Sequence, residues 1–186
     1  VILSVLVASV VDRAAKLSGL LANFEKQIEG RKDVEVLVMT DMRGMTIGEK
    51  RNCLVALAQG EYVAFVDDDD AVAPDYISAI VAKLVRESPD VLCFQVLVTG
   101  YGKQSRVCRY HPSFENANLF NEYRRKPNHL MVWRRSIASR VRYPHIRYGE
   151  DTLWADAATP LAQKVSVIDR QLYTYKYSHQ DNAGRT

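Results

Sequence analysis

The sequence predicts an α/β fold with a mostly parallel central sheet flanked by helices. Three observations carry this expectation. The first hundred residues hold four short apolar runs with the β-branched and aromatic bias of buried strands, at 1–8, 34–39, 62–66 and 91–98. Segments with helical spacing of apolar residues separate them, and Gly30 and Gly60 supply stops. Strands separated by helices of this length pair in parallel through right-handed crossovers. At 186 residues the chain is long enough for one domain with a full core.

Taken in order, residues 1–8 read as a buried strand, and Leu17, Leu20, Leu21, Phe24 and Ile28 then recur at helical spacing. After the strand at 34–39, Thr46 and Glu49 form a capping-box pattern that opens a helix carrying Cys53, Leu54 and Leu57. The strand at 62–66 follows, then a helix beginning near Pro74 with Ile77, Ile80, Val81, Leu84 and Val85 on its apolar positions. Beyond the strand at 91–98, Gly100–Gly102 reads as a turn and 106–110 as a strand, while 113–126 reads as a polar irregular loop. Leu130 to Trp133 is a short apolar stretch, Gly149-Glu150-Asp151 opens a helix with Leu153, Trp154 and Ala157, and 165–168 and 172–177 read as two closing strands. Trp133 and Trp154 are expected to pack rather than to stack on a sugar.

Composition narrows the functional classes. No run of about 18 apolar residues exists to span a membrane. The apolar start, residues 1–11, lacks the basic flank of a signal peptide. Cys53, Cys93 and Cys108 are an odd set without paired metal spacing, so they read as reduced thiols of a cytoplasmic protein and not as a zinc site. The net charge is only +3, but residues 101–150 carry 11 Lys/Arg against 3 Asp/Glu, which leaves the remainder acidic. A basic segment of that kind fits a phosphate-bearing partner, nucleic acid included, and fits a solvated face equally well.

The most specific chemical signal is the run Asp67-Asp68-Asp69-Asp70, which the strand Tyr62-Val63-Ala64-Phe65-Val66 delivers to a turn. Four adjacent carboxylates repel one another, and a divalent cation relieves that repulsion by binding their oxygens. A helix cap needs one aspartate and does not account for four. In open α/β sheets, ligands sit beyond the carboxyl ends of the strands. The aspartates lie at such an end, together with Ala8, Ser9 and Val10 after the first strand and Asp41 after the second.

The block from Arg51-Asn52 through Ala58-Gln59-Gly60-Glu61-Tyr62 to Asp67-Asp68-Asp69-Asp70 closely resembles family 2 glycosyltransferases of the GT-A fold. In that family an R-N…A-x-G-E-Y segment runs into a strand ending in D-x-D-D. Pro74 and Asp75 match its proline-initiated helix, and Gly149-Glu150-Asp151 resembles its E-D motif at a helix start. The resemblance covers nearly the whole chain and is weakest over 101–130. It implies a single GT-A domain over 1–186, with 1–100 as the nucleotide-sugar-binding half and 101–186 as the acceptor-side and catalytic half. It also implies a nucleotide-sugar donor, UDP- or GDP-linked by preference, a Mn2+ or Mg2+ cofactor, and inversion at the anomeric carbon during transfer to a hydroxyl.

By that resemblance Asp69 is the principal metal ligand, with Asp67 near the metal or ribose and Asp68 beside the nucleotide. The run also allows a second register, Asp68 with Asp70. Asp151 is the implied base, with Glu150 beside it. Ala8, Ser9, Val10 and Asp41 match the nucleobase positions, although Ala8-Ser9-Val10-Val11 and Thr40-Asp41-Met42-Arg43 depart from the family's P-T-Y-N and D-D-G-S. Arg51, and after it Lys50, are expected to neutralise the diphosphate, and His179 is a candidate third metal ligand. Tyr123 to His129 forms an aromatic and basic stretch expected on the acceptor side. The acceptor is open between glycan, lipid-linked and modified-DNA hydroxyls. A different class, a non-catalytic nucleotide- or nucleic-acid-binding module that keeps the fold, needs no Glu150-Asp151 pair. A nucleotidyltransferase usually brings a glycine-rich phosphate loop after the first strand, and residues 8–16 contain no glycine.

Overall fold

Leu3–Val10 forms strand β1, whose first five residues are buried, as a strand flanked on both edges requires. The computed structural model describes residues 1–100, 104–146 and 148–177. In chain order the further elements are α1 (Ala14–Ile28), β2 (Val34–Asp41), α2 (Ile47–Leu57), β3 (Tyr62–Phe65), β4 (Ala71–Val72), α3 (Tyr76–Glu87) and β5 (Val91–Thr99). They continue with β6 (Arg106–Tyr110), β7 (Ala117–Asn118), β8 (Glu122–Arg125), β9 (Val132–Arg134), α4 (Arg135–Ala138), α5 (Glu150–Ala158) and β10 (Val165–Lys176). Thr46 and Glu49 close the expected capping box at the start of α2, each side chain accepting from the other residue's backbone N–H.

One sheet runs β2-β1-β3-β9-β5-β6-β8-β7, with β10 on β5 and β4 on β10. β1 pairs in parallel with β2 and β3, and β10 in parallel with β5. β9 is inserted antiparallel between β3 and β5. The entry to β3 has no room for a side chain: a Cβ on Gly60 would lie 2.6 Å from the Ser4 nitrogen. α1 packs with α3 and β1, and α2 lies on β1 and β2. Trp133 and Trp154 are both 1 % exposed and meet edge to face at 5.1 Å, while Tyr143 stacks on Trp154 at 4.9 Å. These aromatics back the carboxyl end of β3, as the packing expectation for both tryptophans requires.

Several expectations need correction. Residues 113–126 are not wholly irregular, because two short strands within them, β7 and β8, pair antiparallel and β8 joins β6 in parallel. The two closing strands are one, β10, bent by register shifts between Ile168 and Tyr173. Val85 and Leu57 keep their helical positions but face solvent. The turn expected at Gly100–Gly102 lies, apart from Gly100, outside the described residues. Part of the basic segment is engaged within the fold. Arg109 pairs with Glu122 and Asp169, Arg124 with Glu122, Lys126 with Asp156, and Arg134 with Glu61 and Asp90. Among the described residues, four of the eleven basic side chains of 101–150 are thus held in intramolecular ion pairs, which answers only part of the charge excess. Among the described residues no helix is long and apolar enough to cross a membrane.

Candidate active site

Parallel register gathers the first part of the site. Val10 lies opposite Asp41, and Leu6 lies opposite Phe65, so β1, β2 and β3 release Ser9-Val10, Asp41 and the aspartates at one edge. Ser9 and Asp41 are joined through Lys50. This lysine is 3 % exposed rather than solvated, pairs with the Asp41 carboxylate, and donates to the Ser9 carbonyl at 2.6 Å. Lys50, together with the Met45 N–H at 2.7 Å, holds the Asp41 carboxyl below the usual range.

The four aspartates alternate in environment. Asp68 and Asp70 are buried: Asp68 accepts from the Ser9 hydroxyl at 2.5 Å and from Arg13 at 2.9 Å, and Asp70 from the Tyr173 hydroxyl and the Lys176 N–H, each at 2.7 Å. Asp67 and Asp69 are only partly covered. Burial works against the charge on Asp67, but His129 and Arg51 outweigh it and hold its carboxyl low. Burial raises the Asp69 carboxyl, opposed by Arg13 and reinforced by Asp67 and Asp68. Burial and the charge of Asp67 push Asp70 up to about 8. Asp68, Asp69 and Asp70 line a cleft of about 480 Å³, a size that suits a small-molecule ligand, whose other walls include Lys16 and Asn23 of α1 and Lys176 at the end of β10. Ser9 and Asp41 do not line this cleft.

The second part of the site is the start of α5. Gly149, at φ 81°, turns the chain into the helix in a left-handed conformation that favours glycine, and Glu150 and Asp151 occupy the first turn. Two side chains tie this turn to the strand end. Arg51 donates to Glu150 at 2.6 Å and to Asp67 at 3.3 Å. His129, on the turn before β9, places Nε2 3.5 Å from Asp67 and Nδ1 3.6 Å from Asp151. Arg51 is 4 % exposed, so the residue expected at the diphosphate is spent on these two carboxylates. Its neighbour Asn52 exchanges two 2.9 Å hydrogen bonds with the backbone of Tyr143, which gives the Arg51-Asn52 pair a physical role in docking α2 against the loop that precedes α5.

Asp67, Glu150 and Asp151 thus form one cluster, with Ser9 and Asp41 on the neighbouring strands and Lys50 on α2 joining them. Sequence reasoning missed Arg13 and Lys16, whose side chains face Asp69 at 3.2 and 3.9 Å. It placed His129 only at the end of an aromatic and basic acceptor-side stretch and not beside its partners, which are 62 positions before and 22 after it. His179 lies outside the described residues.

A divalent ion fits the donor set. Among the described residues no three His, Cys, Asp or Glu side chains form a closed metal cage. An ion shared with substrate phosphates, however, needs only one or two protein carboxylates. Asp69 is partly covered and stands beside Asp67 and Asp68, so its carboxylate is one such candidate.

Comparison with known proteins bears on the family and the fold. The model of the family "Glycosyl transferase family 2" matches residues 11–147. A putative glycosyltransferase, EpsH of Bacillus subtilis (strain 168), is 27 % identical over 142 residues, 70 % of this chain and 41 % of its own length. The crystal structure of S. aureus TarS 1–349 in complex with UDP-GlcNAc superposes with a TM-score of 0.76 at 19 % identity, covering 96 % of this chain and 59 % of TarS. The mannosyltransferase PcManGT from Pyrobaculum calidifontis, in complex with GDP-Man and Mn2+, gives 0.65 at 13 % identity over 96 % of this chain and 57 % of its own. These likenesses show the fold, the GT-A arrangement expected from the sequence. The chain spans less than two thirds of each of these relatives.

Proposed function

The chain belongs to glycosyl transferase family 2, and from that premise we propose that it is an inverting, metal-assisted enzyme carrying a sugar from a nucleoside-diphosphate donor to an acceptor hydroxyl. The observation that carries this reading is the double link from Asp67 to the α5 turn, through Arg51 to Glu150 and through His129 to Asp151. Carboxylates suited to the donor's diphosphate side and carboxylates suited to the acceptor side meet in one cluster.

Asp151 is the base. Its Oδ1 accepts from the Thr152 N–H at 2.9 Å, which orients the carboxylate and leaves Oδ2 for proton transfer. It takes the proton of the acceptor hydroxyl as that oxygen bonds to the anomeric carbon. The bond from that carbon to the phosphate oxygen breaks on the opposite face, and the electron pair leaves with the nucleoside diphosphate, which inverts the centre. Asp69, with Asp67, would hold a divalent ion, Mn2+ or Mg2+, whose charge would stabilise the negative charge on the departing diphosphate. Asp67 and Asp69 are the more exposed of the four, which supports this register over Asp68 with Asp70. Arg13 and Lys16 add positive charge on the same side. Ser9, Val10 and Asp41 bound the nucleobase, with Lys50 fixing Asp41. The donor is a UDP- or GDP-sugar, in line with the UDP-GlcNAc and GDP-Man bound by TarS and PcManGT. The free thiols of Cys53, Cys93 and Cys108 support a cytoplasmic setting.

Thermal shifts with UDP, GDP, CDP and dTDP, each with Mn2+, with Mg2+ and with chelator, test the donor site. The expected result is stabilisation by UDP or GDP that chelator abolishes. No shift with any nucleotide contradicts the reading.

A further inference from the structure

His129 belongs to no motif that the family resemblance supplied, yet it occupies the centre of the cluster. The turn that carries it is fixed from several directions. The Asn128 side chain accepts from the Leu130 N–H at 3.1 Å, and the Asn128 carbonyl accepts from the Met131 N–H at 3.1 Å and the Trp133 Nε1–H at 2.9 Å. β9 then locks between β3 and β5. The imidazole is 5 % exposed and meets the Phe65 ring near edge-on at 6.4 Å. A polar ring in such a place needs partners for both nitrogens. Nε2 has Asp67 at 3.5 Å, while Nδ1 has no hydrogen bond and faces Asp151 Oδ2 at 3.6 Å.

The geometry points to His129 as a positioning residue for Asp151. A ring N–H carried on Nδ1 donates toward Asp151 Oδ2 and aims that carboxylate at the acceptor hydroxyl, while Nε2 lies 3.5 Å from Asp67. At 3.6 Å the two atoms stand just beyond hydrogen-bond length, and catalytic contacts of this kind often tighten only when substrate arrives. Arg51 makes the matching link from Asp67 to Glu150. Whatever orders Asp67 on the donor side is thereby transmitted to both carboxylates of the α5 turn. This inference rests on the reading of Asp151 as the base.

Two substitutions separate the nitrogens. In His129→Gln the amide reaches the Nε2 position and keeps Asp67, and in His129→Asn it reaches the Nδ1 position and keeps Asp151. The substrate-free test is the melting temperature of wild type, His129→Gln, Asp151→Asn and the double variant. The same four melts are repeated with UDP-GlcNAc and Mn2+: a contact between the two residues makes the shifts non-additive, whereas additive shifts both without and with the donor overturn the inference. The functional test is nucleotide release to water from UDP-GlcNAc and from GDP-mannose with Mn2+. His129→Gln is expected to lower kcat about 30-fold with donor KM changed by no more than about twofold, and His129→Asn to recover most of the loss. In the Asp151→Asn background, His129→Gln should have no further effect. An equal loss in both backgrounds, or wild-type kcat in His129→Gln, overturns the positioning role. Unchanged release by Asp151→Asn alone would instead overturn the assignment of the base.

Discussion

β1, β2 and β3 deliver their site residues through backbone pairing, with Val10 opposite Asp41 and Leu6 opposite Phe65, so register sets where residues 1–100 meet the site and side-chain contacts then fix it. Residues 104–177 work differently. Their strands are mostly short, and His129, Glu150 and Asp151 are held by a turn, an arginine and a wall of aromatic rings. The first region's geometry follows from a local pattern that any homologous strand and helix order would repeat. In the second, position depends on contacts between residues far apart in sequence, and these are where individual substitutions should be felt most.

Removing Trp133 should have the largest effect. It is fully buried at the point where β9 enters the sheet, and Trp133→Ala should cost about 4 kcal/mol in chemical denaturation. A loss near that of an exposed residue would mean that β9 is not the wedge joining the two regions. Arg51 is the next sharpest probe, because Arg51→Met leaves Glu150 and Asp67 without their shared cation. Removing one partner of a buried pair costs about 3 kcal/mol, and the double variant with Glu150→Gln should regain part of it.

A smaller effect is expected within the scaffold, where Glu87 on α3 accepts from Lys83 and from Ser166 of β10. Lys83, Ser166 and Arg86 hold its carboxyl down to about 2, so the folded state keeps the charge that the unfolded chain loses near pH 4.5. The stabilisation is therefore present above pH 4.5 and is lost as pH falls toward 2. Glu87→Gln should weaken the protein at pH 7 and leave it closer to wild type near pH 2, as read by urea midpoints.

The contrast between the regions also explains what the sequence made legible. Hydrophobic periodicity, the capping box at Thr46 and Glu49, and the strand leading into Asp67–Asp70 all report local physics, and they place the first region's elements correctly. The resemblance added Glu150 and Asp151 at a helix start. Burial of Lys50 and Arg51 was not legible, because both sit on a helix with little amphipathic pattern and are buried by partners on other elements. β7 and β8 escaped for a similar reason: a short polar hairpin gains its stability from β6 and from ion pairs, not from an apolar alternation. His129 was marked only as part of the acceptor-side stretch 123–129, since a histidine on a turn carries no periodic signal that would reveal its partners.

The most direct test of the central claim is nucleotide release by wild type and Asp151→Asn, measured with donor affinity on the same preparations of protein, metal and nucleotide-sugar. The account predicts that Asp151→Asn loses about 10²–10⁴-fold in turnover, the range of general-base catalysis, while donor binding is retained. Turnover unchanged by the substitution would contradict it.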